Sequence, residues 1–163
     1  MSDLSKCDSV SDCFLGLSFS PSLMSSEGSI GTPKPTAEGS AAFIKDDKVF
    51  STWYQVYGDL HSARPLVLLH GGPGLPSDYM LPFAYYLSST IPVVIYDQLG
   101  CGRSSHPRES VPTQFWNVEV FMDELENLLK HLQIDGDFDL LGQSWGGMSS
   151  ARSPEIFRVD CNY

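Results

Sequence analysis

The segment Gly142-Gln143-Ser144-Trp145-Gly146-Gly147 follows directly on the mostly apolar run Phe138-Asp139-Leu140-Leu141. A serine set between glycines at a strand-to-helix junction presents a hydroxyl for attack on a carbonyl. Ser144 is therefore the candidate nucleophile. Its backbone must take a strained turn, tolerable only where Gly142 and Gly146 let strand and helix crowd together. That turn would aim the hydroxyl out of the sheet. It would also set the backbone N–H of Trp145 beside the reacting carbonyl, where helix-start donors stabilise developing negative charge. The pattern alone also occurs in ordinary turns. It gains weight from His70-Gly71-Gly72-Pro73-Gly74, which follows the apolar run Leu66 to Leu69 and stands where a second N–H donor would be needed.

Several elements must hold these two turns in place. Leu66-Val67-Leu68-Leu69 and Val93-Val94-Ile95-Tyr96 show no polar alternation, which suits strands buried on both faces of a parallel sheet, and Phe138 to Leu141 reads as a third. Between the first two, Ser77 is placed to cap a helix carrying Tyr79 to Leu87, with Pro82 in its first turns. A longer helix is marked by Val118, Phe121, Met122, Leu125, Leu128, Leu129 and Leu132 at helical spacing, with Asn117 as its cap. Glu119, Asp123 and Glu124 lie toward its positive end, Lys130 and His131 toward its negative end, and Glu126 pairs with Lys130 one turn on. The charge of this helix reads as a solvated face. Ahead of these elements, Ala41 to Lys45 and Phe50 to Tyr57 are β-rich runs around Asp46-Asp47-Lys48, which predicts a hairpin. Strand and helix then alternate, which argues an α/β fold with right-handed crossovers.

Residues 1–38 are rich in serine, carry Pro21, Pro33 and Pro35, and sustain no hydrophobic period; they read as a disordered tail. Residues 39–150 form the folded part and 151–163 a second tail. Twenty acidic against ten basic residues give a net charge of −10, which would repel nucleic acid and anionic membranes as partners. No apolar run approaches the roughly 20 residues of a membrane helix, and the first residues lack the basic and apolar regions of a signal peptide. A cytoplasmic location is expected. Cys7, Cys13, Cys101 and Cys161 are too scattered for a zinc-ribbon or redox pattern, so reduced thiols and no metal are expected.

Three motifs, His70 to Gly74 (HGGPG), Asp97 to Ser105 (DQLGCGRSS) and Gly142 to Gly147 (GQSWGG), together resemble the α/β-hydrolase fold. More narrowly, their order and spacing across Ala41 to Met148 are similar to the proline iminopeptidase family of serine aminopeptidases. A serine at the elbow argues against the haloalkane dehalogenase and epoxide hydrolase branches, which use aspartate there. The resemblance implies release of N-terminal proline from peptides through an acyl-enzyme, with a peptide or amide substrate and neither metal nor cofactor. It implies Ser144 as nucleophile and the backbone of Trp145 with Gly72 or Gly71 as oxyanion hole. It gives His70, Gly74, Asp97, Gly142 and Gly146 as structural supports, with Gly100, Gly102, Arg103 and Ser104 shaping the loop they share. Cys101 reads as a small loop residue, and His61, His106 and His131 as surface residues.

In such a hydrolase an acid and then a histidine follow the serine along the chain, and no histidine follows Ser144. His106 or His131 could serve only if the fold brought one to the hydroxyl. The resemblance implies a long helix, a helical cap and three more strands beyond the elbow. Residues 149–163 do not resemble these, and Ser153-Pro154 is set to end the elbow helix. The expectation is an α/β-hydrolase fold truncated after the nucleophile elbow: an N-terminal hairpin plus about three parallel strands with flanking helices, inactive as it stands. Two other readings stay open, a non-catalytic fragment that binds through its open sheet edge and an amidase or esterase of the same fold.

Overall fold

A computed structural model describes residues 33–72, 74–107 and 110–150. The expected tails over 1–32 and 151–163, with the Ser153-Pro154 stop and Cys7, Cys13 and Cys161, lie outside the described residues.

Strands β1 (Ala37–Lys45) and β2 (Lys48–Tyr57) form an antiparallel hairpin closed by the pair Lys45 and Lys48. Asp46 and Asp47 between them have φ of 51° and 59°. Two left-handed residues in succession match the twist of the flanking strands, and aspartate tolerates that conformation. β1 begins at Ala37, inside the segment that composition assigns to the tail. The Thr36 N–H also reaches the carbonyl of Val56 at 2.8 Å. Main-chain pairing orders these residues, and a side-chain pattern carries no sign of it.

Strands β3 (Leu66–Leu69), β4 (Val93–Tyr96) and β5 (Asp139–Gly142) are parallel, and the sheet runs β1-β2-β4-β3-β5 with β2 antiparallel to β4. All four residues of β4 are buried because helices cover both faces. Helix α1 (Leu81–Leu87) and Met80 cover Leu68, Val93 and Ile95. Helix α2 (Val118–His131) lays Leu125, Leu128 and Leu129 on Val67, Leu69, Val94 and Tyr96. Neighbouring residues of β3 thus serve opposite layers, as the strand's twofold period requires. Each such aliphatic side chain contributes roughly 1.5–3 kcal/mol by leaving water, so these two layers anchor the loops at the strand ends.

Two local expectations are corrected. Ser77 does not cap a helix from Tyr79 to Leu87: residues Ser77–Met80 form a 3-10 turn, Pro76 precedes it without a side-chain cap, and α1 starts only at Leu81. The Ser77 hydroxyl instead donates to Asp97 Oδ1 at 2.7 Å, a buried charge-assisted bond that outweighs a cap. Glu124 does not belong to the solvated face of α2; it is fully buried. The rest of that helix is as expected, with the Asn117 side chain accepting the Val120 N–H at 3.0 Å and Glu126 paired with Lys130.

At their carboxyl ends the strands diverge. The chain leaving β3 goes to the face covered by α1, whereas β5 runs into α3 (Trp145–Ser150), whose Trp145 packs edge-on against Phe121 of α2 on the other face. Neighbouring strands that part in this way leave a crevice at their carboxyl ends. β5 lies at the sheet edge, paired with β3 alone among the described residues.

Candidate active site

Ser144 is exposed and has φ of 53°. A non-glycine residue held there costs about 1–3 kcal/mol and persists only when its surroundings fix it. The Gln143 N–H donates to the carbonyl of Leu69 at 3.0 Å, the Gly146 N–H to that of Gln143 at 3.0 Å, and the Met148 N–H to that of Ser144 at 3.0 Å. A Cβ on Gly146 would overlap the carbonyl oxygens of Leu69 and His70, and one on Gly142 would lie 2.5 Å from the carbonyl carbon of Gly146. Neither backbone segment can retreat without breaking the sheet or the helix start, so both positions need glycine. The turn expected from the spacing of Gly142, Ser144 and Gly146 is the one present.

The glycine-rich turn after β3 is braced from β4. His70 is buried, and the Gln98 N–H donates to its Nε2 at 2.9 Å. That bond leaves the imidazole proton on Nδ1, which lies 3.0 Å from the carbonyl of Gly71. Burial also lowers the pKa of His70, which favours the uncharged ring whose Nε2 accepts the Gln98 N–H. The Gln98 side chain donates to the His70 carbonyl at 2.8 Å and accepts from Trp145 Nε1 at 3.2 Å. One buried glutamine therefore ties the turn to the elbow.

Asp97, fully buried, organises the loop around it. Its Oδ1 accepts the N–H and hydroxyl of Ser77, each at 2.7 Å, and its Oδ2 accepts the Arg103 N–H at 2.8 Å with the guanidinium Nε 3.3 Å away. Arg103 also pairs with Asp78 and lies over the Trp53 ring, 3.6 Å from its centroid. The Ser104 hydroxyl donates to the Asp97 carbonyl, the Gly100 N–H to that of Ser105 at 2.8 Å, and the Gly74 N–H to Cys101 Sγ at 3.2 Å. Beneath the loop, Glu124 accepts the Leu99 N–H at 3.0 Å and the Thr52 hydroxyl at 2.7 Å. Burial raises the pKa of this carboxyl to about 7, against the lowering effect of those two bonds.

On the open side, Tyr79 links turn and elbow. Its oxygen accepts the Gly71 N–H at 2.5 Å and its hydroxyl donates to Gln143 Oε1 at 3.0 Å. Gly72 is half-buried with φ of 70°, and its N–H has no partner among the described residues. His106 Nε2 lies against the Gly102 carbonyl and His131 Nε2 against the Tyr54 hydroxyl, so neither contact is with the elbow. His61 is exposed. Among the described residues no group of His, Cys, Asp and Glu could hold a metal ion, and no helix is long and apolar enough to cross a membrane.

The three sequence motifs thus meet at one end of the sheet, with His70, Gly74, Asp97, Gly142 and Gly146 in the supporting contacts described. Sequence reasoning missed Gln98, Tyr79, Gln143 and Glu124. For Glu124 a signal existed, since it lies one turn from both Val120 and Leu128 on the buried side of α2. The contacts of the other three depend on loops brought together only by the fold.

The family model described as the alpha/beta hydrolase fold matches residues 64–155. The chain belongs to the α/β-hydrolase family. Among curated relatives of this chain is the proline iminopeptidase of Levilactobacillus brevis, 46% identical over 103 residues that make up 62% of this chain and 33% of the relative. Among solved structures, VinJ is 49% identical with a TM-score of 0.65, covering 72% of this chain and 38% of VinJ. Proline iminopeptidase of Mycobacterium smegmatis is 37% identical with a TM-score of 0.62, over 71% of this chain and 38% of that one. The chain therefore spans about a third of the length of the curated relatives it matches.

Proposed function

We propose that this chain carries the nucleophile and the anion-stabilising half of a serine hydrolase that releases N-terminal proline from peptides. The observation that carries the reading is Ser144, exposed at φ of 53° beside glycines whose Cβ positions are filled by neighbouring backbone. Its Oγ attacks the scissile carbonyl, and the resulting oxyanion lies toward the backbone N–H groups of Trp145 and Gly72. Collapse of the tetrahedral intermediate expels the amine with a proton and leaves the prolyl ester on Ser144, which water then cleaves. The choice of proline rests on the proline iminopeptidase relatives. The acidic composition argues against nucleic-acid and anionic-membrane partners.

The serine proton needs a base during attack, and no histidine follows Ser144 in the 163 residues. We therefore expect no turnover by this chain, and attack by Ser144 on a strong electrophile only where hydroxide in solution takes the serine proton, so that the rate rises with pH. A fluorophosphonate should modify Ser144, located by peptide mass, and the Ser144→Ala chain should stay unmodified, while a prolyl arylamide is not hydrolysed by either. Absence of modification in folded protein at alkaline pH, where hydroxide serves as the base, would remove the reading. A second reading, a module that pairs with another chain, draws support from the edge position of β5. Concentration-dependent association lost on deleting residues 136–163 would favour it.

A further inference from the structure

Tyr79 belongs to none of the motifs, yet its hydroxyl lies between the two turns of the site. A phenol has one proton to give, and that proton goes to Gln143 Oε1. The oxygen then accepts from the Gly71 N–H at 2.5 Å. The Gln143 side chain lies so close to Gly71 that a Cβ there would overlap Oε1. Three residues from three segments thus form one closed contact: the 3-10 turn before α1, the glycine-rich turn after β3, and the position preceding Ser144. The base of Tyr79 is fixed, because Ser77 is bonded to Asp97 and Met80 is buried, whereas its ring is 43% exposed.

We propose that Tyr79 is a positioning residue that reserves the Gly71 N–H and pins Gln143, leaving Gly72 as the donor that the glycine-rich turn offers to an anion on Ser144. Only the last clause rests on the serine-hydrolase reading. An N–H engaged with a phenol oxygen serves a second acceptor only by giving up that bond, while the Gly72 N–H has nothing to give up among the described residues. Gln143 immediately precedes the strained residue, so restraining its side chain also restrains the entry to the Ser144 turn.

Residue-resolved NMR on the whole chain tests this in two arms. In amide exchange, Gly71 should be protected and Gly72 not. Tyr79→Phe should speed Gly71 exchange about tenfold and leave Leu99 unchanged. Gln143→Leu, at an exposed position, should speed it in the same direction and serves if the first variant loses its fold. In the second arm, phenylboronic acid, which adds the serine oxygen to boron as a tetrahedral anion, should shift the Gly72 amide and not that of Gly71. In Tyr79→Phe both should shift. Unchanged Gly71 exchange in both variants, or a boronate shift at Gly71 in place of Gly72 in the parent chain, would overturn the proposal. If boronate gives the parent and Ser144→Ala chains the same spectrum, the hydrolase reading fails, and the exchange arm still decides whether Tyr79 holds Gly71.

Discussion

Residues 97–104 and residues 139–144 sit at the ends of parallel strands in one sheet, and they are built differently. In the first, Asp97, Gln98, Leu99, Cys101 and Ser104 are all buried, and the two carboxylates they meet, Asp97 and Glu124, are supplied with donors from β2, from the loop itself and from the turn before α1. In the second, Asp139 is exposed, Leu140, Leu141 and Gly142 are half-buried, and the strand is paired on one side among the described residues. Ser144, the proposed nucleophile, is on the second and its bracing comes from the first. Strain at Ser144 can be held on this strand because Gln98 reaches across from the buried loop to both His70 and Trp145. Burial is thus unevenly distributed, and Ser144 lies at the end of the less buried strand.

Three substitutions probe that contrast. Asp97→Ala should be the most damaging, since it leaves the Ser77 N–H and hydroxyl, the Arg103 N–H and the guanidinium without their buried acceptor. A loss of about 3–5 kcal/mol is expected, read as a shift of the denaturant midpoint; a loss under about 1 kcal/mol would mean the loop is not the brace. Glu124→Gln should alter the pH dependence. With the folded pKa at about 7 against an ordinary 4.5, the folded state binds more protons between these values. The stabilisation is complete below the lower value and is lost as pH rises through about 7. Between pH 5 and 8 the parent should lose roughly 2–3 kcal/mol through this group. Glutamine can accept from Leu99 and donate to Thr52, so its curve should be flatter over that range. His70 acts with the opposite sign, its lowered pKa costing stability as pH falls below the usual histidine range. Trp145→Phe should matter least, about 1 kcal/mol, because the phenyl ring keeps its place against Phe121 while the indole donation to Gln98 is lost. A larger loss would show that elbow and brace are one unit rather than two.

The same contrast explains what was legible in the sequence. Leu66 to Leu69, Val93 to Tyr96 and the stripe of α2 announced themselves because burial on both faces, or on one helical face, dictates residue type position by position. The glycines of the elbow were legible because close backbone approach excludes every other residue. Glu124 and Ser77 were misplaced because their partners, Thr52 with Leu99 and Asp97, lie 20 or more residues away. A local rule assigns a carboxylate to solvent and a serine to a cap until a distant donor or acceptor competes. The contacts of Tyr79 and Gln98 were not legible for a related reason, since nothing local shows which distant loop a tyrosine or a glutamine will bridge.

The central claim is that the buried loop holds the glycine-rich turn against the strained serine so that one oxygen can meet donors from both. A crystal structure of the fluorophosphonate-treated chain tests this most directly. The phosphonyl group should be bonded to Ser144 Oγ, with its oxygen about 3 Å from the N–H groups of Gly72 and Trp145. A phosphonyl oxygen turned to solvent, or a label on some other serine with Ser144 unmodified, would contradict it.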